Sequence, residues 1–291
     1  MNSSRIATLH ATSAPQSFPE KPPNILLIED NIMTTHVVKT LFTQAGSKIT
    51  AVSNAEDAIP LAQASRFDLI LTDIILPGML GFRFTQIMRE WETTHKKMPT
   101  RIIGLSALKR ESTMEAAHKV GMNDLYITPV TKSMVQKLLQ QIDKQTESLL
   151  NVEQNMIQNT SPLGFELPNA EEELFQLQQY PLFDHDSLAK NLGGEEHIKT
   201  ILDIMVNQGL PKDLSDITAA YNAKNWDMVE GIAHRTKGGA ASTGAVRLKF
   251  ACQYLERYQK AGHSRLREKL YQQLLNVIAD TEKHIKQELA K

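Results

Sequence analysis

Residues 24–30, Asn-Ile-Leu-Leu-Ile-Glu-Asp, join a short apolar run to a pair of acids. An apolar run of this length is typical of a β-strand that is buried on both faces of a parallel sheet. Similar runs occur at 49–52, 69–71, 102–105 and 125–127, and amphipathic helical patterns separate them. A fifth helical pattern begins at Thr131. Strands that alternate with helices in this way predict an α/β domain with a doubly wound, five-stranded parallel sheet.

Acidic side chains follow the first and third predicted strands. Glu29 and Asp30 end the first strand, and Asp73 ends the third. Because function gathers at the carboxyl ends of parallel strands, we expect these carboxylates to converge there and repel one another. A hard divalent cation relieves such repulsion, and Mg²⁺ prefers oxygen ligands. The sequence therefore predicts a Mg²⁺ site, with Ser106 at the end of the fourth strand offering its hydroxyl to an oxyanion.

Residues 23–145 resemble the receiver domain of response regulators, which has a flavodoxin-like fold. The residues that carry the resemblance stand at the family's usual spacing: Glu29, Asp30, Asp73, Pro77, Gly81 and Ser106. The resemblance implies that Asp73 is the phosphoacceptor and that Ser106 is the switch hydroxyl. Asp73 would attack a phosphohistidine and become an acyl phosphate, while Mg²⁺ neutralises the transferring oxygens.

One position departs from the receiver pattern. Receivers normally carry Lys-Pro after the fifth strand, and the lysine contacts the phosphoryl group, whereas this chain has Thr128-Pro129. Threonine donates a hydrogen bond but brings no charge. Leu125 stands where receivers usually carry an aromatic switch residue. In one interpretation, the loop residue Lys109 replaces the missing lysine as the cation of the site. We therefore expect the receiver to bind Mg²⁺ but to accept phosphate poorly or fail to switch.

The C-terminal part of the chain has apolar residues at three- and four-residue steps, which is typical of amphipathic helices. The stripes begin at Ile198, Leu214, Val229, Leu248 and Leu266. The first two flank Pro211, which starts or kinks a helix. Up-and-down helices joined by short turns predict a four-helix bundle. Cys252 lies on one of the apolar stripes, so we expect it in the core rather than as a reactive thiol.

Residues 233–245, Ala-His-Arg-Thr-Lys-Gly-Gly-Ala-Ala-Ser-Thr-Gly-Ala, place His234, Lys237 and Gly238 on a stripe that we expect to face water. Glycine inside a helix costs about 1 kcal/mol relative to alanine, so Gly238 indicates close approach by a partner. The pattern resembles the phosphoacceptor helix of histidine phosphotransfer (HPt) domains, Ala-His-x-x-Lys-Gly-x-Ala. The resemblance implies that His234 carries the phosphoryl group and that Lys237 neutralises part of its charge. Arg235 points off the stripe and is a weaker candidate than Lys237 for neutralising that charge.

The composition narrows the function. The chain has a net charge of -1, with 41% hydrophobic and 22% charged residues, so no basic excess indicates nucleic acid as a partner. No apolar run approaches the ~18 residues of a membrane helix, and we expect no membrane insertion. A single cysteine excludes an intrachain disulfide and fits a reducing compartment, which predicts a cytoplasmic protein. No Gly-rich ATP-binding motif is present, so we expect a phosphotransfer signalling protein rather than a kinase.

The predicted organisation is a flexible leader (1–22), a receiver domain (23–145), a polar linker (146–180) and an HPt domain (181–291). Hybrid sensor kinases resemble this order at their C-termini, and the Met1 leader favours a free-standing relay protein over the tail of such a kinase. One hypothesis is a phosphorelay intermediate, in which His234 and Asp73 pass phosphoryl groups between a separate sensor histidine kinase and a separate response regulator. The alternative is a degenerate receiver that docks a partner without being phosphorylated, with the HPt domain alone as phosphate acceptor or sink.

Overall fold

The structure is a computed structural model that describes residues 21–107, 111–143 and 160–290. The predicted leader, apart from its last two residues, lies outside the described residues. Lys109 and residues 146–159 of the predicted linker also lie outside them.

A five-stranded sheet with five helices around it forms the N-terminal part of the chain, and the strand order is β2-β1-β3-β4-β5. The strands are β1 (Asn24–Ile28), β2 (Lys48–Val52), β3 (Leu69–Asp73), β4 (Ile102–Ser106) and β5 (Asp124–Ile127). The helices are α1 (Ile32–Gln44), α2 (Ala55–Ala64), α3 (Gly81–Thr94), α4 (Glu111–Lys119) and α5 (Lys132–Asp143). Every pairing is parallel. The predicted doubly wound sheet is therefore confirmed.

The register of the sheet brings the predicted site residues to one edge. Ile28 of β1 pairs with Thr72 of β3, so the acids that follow each residue stand side by side. Ser106 of β4 pairs with Ile127 of β5, and Thr128 comes next in the chain. The carboxyl ends of four neighbouring strands therefore surround one depression.

The C-terminal part is helical, as the apolar stripes predict. Its helices are α6 (His185–Leu192), α7 (Glu195–Ile204), α8 (Leu210–Asn222), α9 (Trp226–Thr243), α10 (Val246–Lys260) and α11 (Arg267–Leu289). One π-helical turn, Met205–Gly209, joins α7 to α8 without a break. Pro211 has no N–H to donate to the preceding turn, and a π turn accommodates the carbonyl that is left over. The joined helix α7–α8 packs against α9 and α11, and α10 packs against those same two helices, which confirms the four-helix bundle.

Residues 160–180 differ from the predicted linker. Two short strands, β6 (Thr160–Ser161) and β7 (Gly164–Phe165), form an antiparallel pair, and 3₁₀ turns follow. This segment packs against α10 and α11. Three of its four leucines are almost completely buried: Leu167, Leu174 and Leu177. These apolar residues anchor the segment to the bundle, although the polar residues around them indicate a connector.

The two domains contact each other chiefly through α1 of the sheet domain and α9 of the bundle. A second contact lies at the ends of other helices, where Asn191 Nδ2 donates to the carbonyl of Val130 at 3.2 Å and Asn191 Oδ1 accepts from the N–H of Lys132 at 2.9 Å. Gln44 Nε2 donates to the carbonyl of Leu192 at 2.8 Å. These contacts place the carboxyl edge of the sheet against α9.

Candidate functional site

Three acids meet at the carboxyl edge of the sheet, where Glu29, Asp30 and Asp73 bring carboxylate oxygens within 4.8 Å of one another. Backbone N–H groups of Asn31 and Ile75 donate to Glu29 and Asp73, at 3.0 and 3.1 Å, and hold both carboxylates in place. Burial raises the pKa of Glu29 well above its usual range, and the charges of Asp73 and Asp30 raise it further. Burial also raises the pKa of Asp73 to about 6. Crowded, partly desolvated oxygen donors of this kind fit a hard divalent cation.

His234 lies on α9 and is held by a carboxylate from α10. Its Nδ1 is 2.9 Å from Glu256 Oε1. Burial alone would raise the pKa of Glu256, but the hydrogen bond from His234 and the charge of Lys237 hold that pKa well below its usual range. Glu256 is therefore a carboxylate that only accepts, so Nδ1 carries the proton and donates. The lone pair is left on Nε2, which makes Nε2 the nucleophilic nitrogen.

The expectation that the His234 stripe faces water is wrong, because only 9% of His234 is exposed. Helix α1 of the sheet domain covers this face of α9. Asn31 Nδ2 donates to the carbonyl of Arg235 at 2.9 Å, and Thr34 Oγ1 lies 3.4 Å from Ser242 Oγ. A helix that is amphipathic by sequence thus has a second partner, which a hydrophobic pattern does not reveal because α9 presents glycines, Ser242 and a backbone carbonyl to α1 rather than large apolar side chains.

Lys237 is also buried rather than water-facing, with 4% of its surface exposed. Its ammonium forms an ion pair with Glu256 Oε2, while His234 uses the other oxygen of the same carboxylate. Burial lowers the pKa of Lys237, and the charge of Glu256 opposes that effect. The structure therefore places Lys237 next to the partner of the imidazole. Its predicted direct role towards a phosphoryl group stays a prediction.

One cavity of about 240 Å³ lies between the two domains. Its polar lining comes from both: Glu29, Asp30, Thr34, Asp73 and Thr128 from the sheet domain, and His234 and Arg235 from the bundle. The predicted nucleophile of one domain and the predicted acceptor of the other thus face the same partly open cavity. Ser106 is buried at the end of β4, and its neighbour Ala107 lines the cavity.

Thr128 brings no charge to this cavity. Its N–H donates to the carbonyl of Ser106 at 2.8 Å, and its hydroxyl lies 3.4 Å from the same oxygen. Of the cavity-lining residues in the described part of the chain, Arg235 is the one with a permanent positive charge. The proposed substitute Lys109 lies outside the described residues.

Arg235 is more important than its position in the motif suggests. Its guanidinium donates to Asp213 Oδ1 at 2.9 and 3.2 Å and to Asp216 Oδ2 at 2.7 Å, which ties α9 to α8. Burial raises the pKa of Asp30, and the charge of Arg235 acts across the domain boundary to lower it. Arg235 therefore anchors the bundle and also supplies positive charge to the acidic edge of the sheet.

Glu256 is a site residue that sequence reasoning missed. Leu248, Cys252 and Glu256 follow one another at four-residue steps and are all buried. A glutamate on an otherwise apolar helical row requires a buried cation or donor. That signal was present in the sequence, but the partner on α9 was not identifiable from spacing.

Comparison with protein-family models matches residues 25–142 to the response regulator receiver domain and residues 205–284 to the Hpt domain. Neither match is to a kinase domain. Among the described residues, no helix combines the length and apolar character needed to cross a membrane.

The chain is similar to the sensor histidine kinase GacS of Pseudomonas protegens, with 27% identity over 84% of this chain and 25% of that protein. It is 26% identical to the sensor protein GacS of Pseudomonas syringae pv. syringae, over 81% of this chain and 24% of that protein. The chain thus spans about a quarter of the length of these curated relatives. The chain is also similar to a solved structure, the receiver domain of a sensor histidine kinase from Pseudomonas aeruginosa PAO1, which holds magnesium in its active-site cleft. The two are 30% identical, and the match covers 43% of this chain and 100% of that one, with a TM-score of 0.39.

Proposed function

We propose that this chain works in two-component phosphorelay signalling and that its His234 and Asp73 exchange a phosphoryl group. The match to a response regulator receiver domain followed by an Hpt domain supports this role. The observation that carries the proposal is the shared cavity, which the imidazole of His234 and the carboxylate of Asp73 both line. The receiver would comprise residues 23–145 and the HPt domain residues 181–291. We propose a separate sensor histidine kinase and a separate response regulator as partners, in the cytoplasm.

The imidazole is prepared for transfer by Glu256. When His234 attacks, its Nε2 lone pair forms the N–P bond while the O–P bond to Asp73 breaks, and the oxygen keeps that electron pair. The ring then carries a positive charge, because Nδ1 keeps its proton. The Glu256 carboxylate stabilises this charge through the 2.9 Å hydrogen bond. In the opposite direction the N–P bond breaks, its electron pair returns to Nε2, and no proton has to move.

On the receiver side, a carboxylate oxygen of Asp73 forms or releases the O–P bond. Glu29, Asp30 and Asp73 have the donor set and spacing to hold Mg²⁺, which would neutralise the transferring oxygens when bound. Arg235 lies at the same cavity and contributes fixed positive charge. The HPt domain would thus supply both the nucleophile and a counter-charge.

A second function is favoured by Thr128. Without a cation of its own at that position, the receiver would serve as a docking and regulatory module that is not phosphorylated, and His234 alone would accept or store phosphate. The two functions differ in whether Asp73 carries a covalent phosphoryl group.

The test is the chemical stability of the phosphate on the full chain after incubation with phosphoramidate, a small P–N donor. Phosphohistidine survives base and is lost in acid, whereas an acyl phosphate is lost in base. We expect base-stable label that disappears in His234→Gln, and additional base-labile label that disappears in Asp73→Asn. Label on His234 without any on Asp73 would favour the docking module. Undiminished base-stable label in His234→Gln would contradict both functions.

A further inference from the structure

The first turn of α1 inserts the Met33 side chain into the HPt domain. Met33 is 0% exposed and lies against two glycines of the bundle. A Cβ added to Gly209 would lie 2.8 Å from Met33 Cγ and 2.9 Å from Met33 Sδ, and one added to Gly239 would overlap Met33 Cε. We name this recess the Gly209–Gly239 notch.

Space rather than backbone conformation requires these glycines. Gly209 has φ -64°, and Gly239 lies inside α9, so both have helical backbones that any residue can adopt. Glycine is nevertheless among the poorest helix formers. Gly209 closes the π turn between α7 and α8, an irregularity that often marks functional positions in helices. The irregular turn and the glycine in α9 together form the recess that receives Met33.

Polar contacts fix how α1 enters the notch. Asn31 Oδ1 caps α1 by accepting from the N–H groups of Met33 and Thr34, at 2.9 and 3.0 Å. A Cβ on Gly239 would also meet Asn31 Nδ2 and Oδ1, at 2.7 and 2.8 Å. Gly238, the glycine that the motif singles out, is looser, because its Cβ would meet only Thr34 Oγ1 at 4.0 Å. The tight approach is therefore one residue further along α9 than the sequence predicts.

We propose that the Gly209–Gly239 notch selects which receivers reach His234, by admitting those with an unbranched apolar side chain at the position of Met33. Methionine has three rotatable bonds and no branch, so its chain threads between the two helices. A β-branched residue such as isoleucine is stiff at χ1 and too short to place an atom at the position of Met33 Cε. This inference rests on the proposed function, since it concerns receivers that exchange phosphoryl groups with His234.

The kind of external partner follows from the burial of His234. The chain's own receiver fills the notch and covers the imidazole, so a separate receiver must displace it and occupy the same recess. The expected partner is therefore a receiver whose first α1 turn offers an asparagine cap followed, two residues later, by methionine or a similar unbranched side chain.

Docking is tested first, without phosphoryl transfer, in the full chain carrying Thr34→Cys and Ser242→Cys. These hydroxyls are 3.4 Å apart, and the natural Cys252 is buried, so the rate of disulfide formation reports docking. We expect Gly209→Ala to slow crosslinking roughly tenfold or more, as overpacking of a filled site does. Gly231→Ala on α9 is the matched control, because its Cβ would meet nothing within 4 Å.

A double-mutant cycle separates the notch from general damage to the fold. In a Met33→Ala background, Gly209→Ala should have almost no effect, since the three atoms nearest to its Cβ all belong to the Met33 side chain beyond Cβ. Gly239→Ala should still slow crosslinking in that background, because Asn31 remains in its way. The proposal would be overturned if Gly209→Ala had the same effect with and without Met33. It would also be overturned if Gly209→Ala alone crosslinked at the wild-type rate.

Selection is then tested between two copies of the chain. The donor copy carries Asp73→Asn and label on His234, and the acceptor copies carry His234→Gln with either Met33 or Met33→Ile. We expect transfer to the Met33→Ile acceptor to be roughly tenfold slower. Equal rates would overturn selection. No transfer to either acceptor, with the crosslinking results as expected, would contradict phosphoryl exchange and leave the notch as a docking element.

Discussion

Glu256→Gln separates the electrostatic role of this carboxylate from its volume. Glu256 is fully buried and faces four basic groups: His234 at 2.9 Å, Lys260 at 2.8 Å, Arg257 at 3.7 Å and the Lys237 ammonium. Neutralising one partner of a buried ion pair costs ~3–5 kcal/mol. We expect the lower end, ~3 kcal/mol, because glutamine keeps the volume and the acceptor oxygen, and because Lys260 reaches water.

The same substitution should shift the phosphoryl equilibrium between His234 and Asp73. A hydrogen bond to a charged group contributes about 1.5 kcal/mol more than a neutral one, which corresponds to about tenfold. Because the carboxylate stabilises the charged ring of phosphohistidine, the ratio of base-stable to base-labile label should fall by about that factor. The control is Glu282→Gln, which removes a surface pair with Lys286 and should cost at most ~1 kcal/mol.

The stability difference should also depend on pH. The pKa of Glu256 in the folded chain is well below its usual range. Its contribution to the free energy of unfolding is therefore fully present above the unfolded pKa of about 4.3, and it is lost as pH falls from there through the folded pKa. The groups that face this cluster from outside it are Glu230 and Glu166, paired with Lys260 and Arg257. We expect the difference in unfolding free energy between wild type and Glu256→Gln to shrink as pH falls below about 4. An unchanged phosphoryl ratio together with the full stability loss would refute the proposed role of Glu256 in transfer.

Three further predictions concern the cavity and its surroundings. Arg235→Gln should slow the labelling of Asp73 by about tenfold. Adding Thr128→Lys should restore the labelling rate, because it returns a positive charge to the cavity. If Thr128→Lys leaves the labelling slow, Arg235 only anchors the bundle. Mg²⁺ should raise the free energy of unfolding by ~2.7 kcal/mol at a hundred times its dissociation constant. Glu29→Gln should stabilise the metal-free chain and abolish the gain from Mg²⁺. Thermal melts with and without Mg²⁺ measure both effects, and an equal gain from Mg²⁺ in the variant would contradict the metal site. Gly238→Ala should stabilise the chain by up to ~1 kcal/mol, because alanine is the better helix former. It should not slow crosslinking between Thr34→Cys and Ser242→Cys, because a Cβ at this position has room. Slower crosslinking would show that Gly238 is also needed for docking.

The acidic site could be predicted from sequence because its geometry follows from local patterns. Apolar runs end in Glu29, Asp30 and Asp73, and a parallel sheet must bring such ends to one edge. The His234 helix was identifiable in the same way, since its motif and its apolar face lie within one element. Both predictions needed only the period of a strand or a helix.

The remaining features depend on contacts between elements that are distant in sequence. The burial of His234 comes from α1, about 200 residues earlier in the chain, as the contact between Asn31 and Arg235 shows. The π turn that ends at Gly209 has no signal in the sequence other than Pro211, two residues later. Leu174 lies in a short segment dominated by glutamate and glutamine, and that segment is too short for a periodic signal to predict its packing against α11. Pairwise fit of this kind cannot be read from one segment at a time.

The covered imidazole has a consequence for competition in solution. A tethered receiver has an effective local concentration that does not change when the protein is diluted or overproduced. An external receiver binds only the undocked fraction, so an undocked population of about one in a hundred would weaken its apparent affinity about a hundredfold. A signal that loosens α1 from α9 would therefore open His234 to other proteins without altering any residue at the site of transfer.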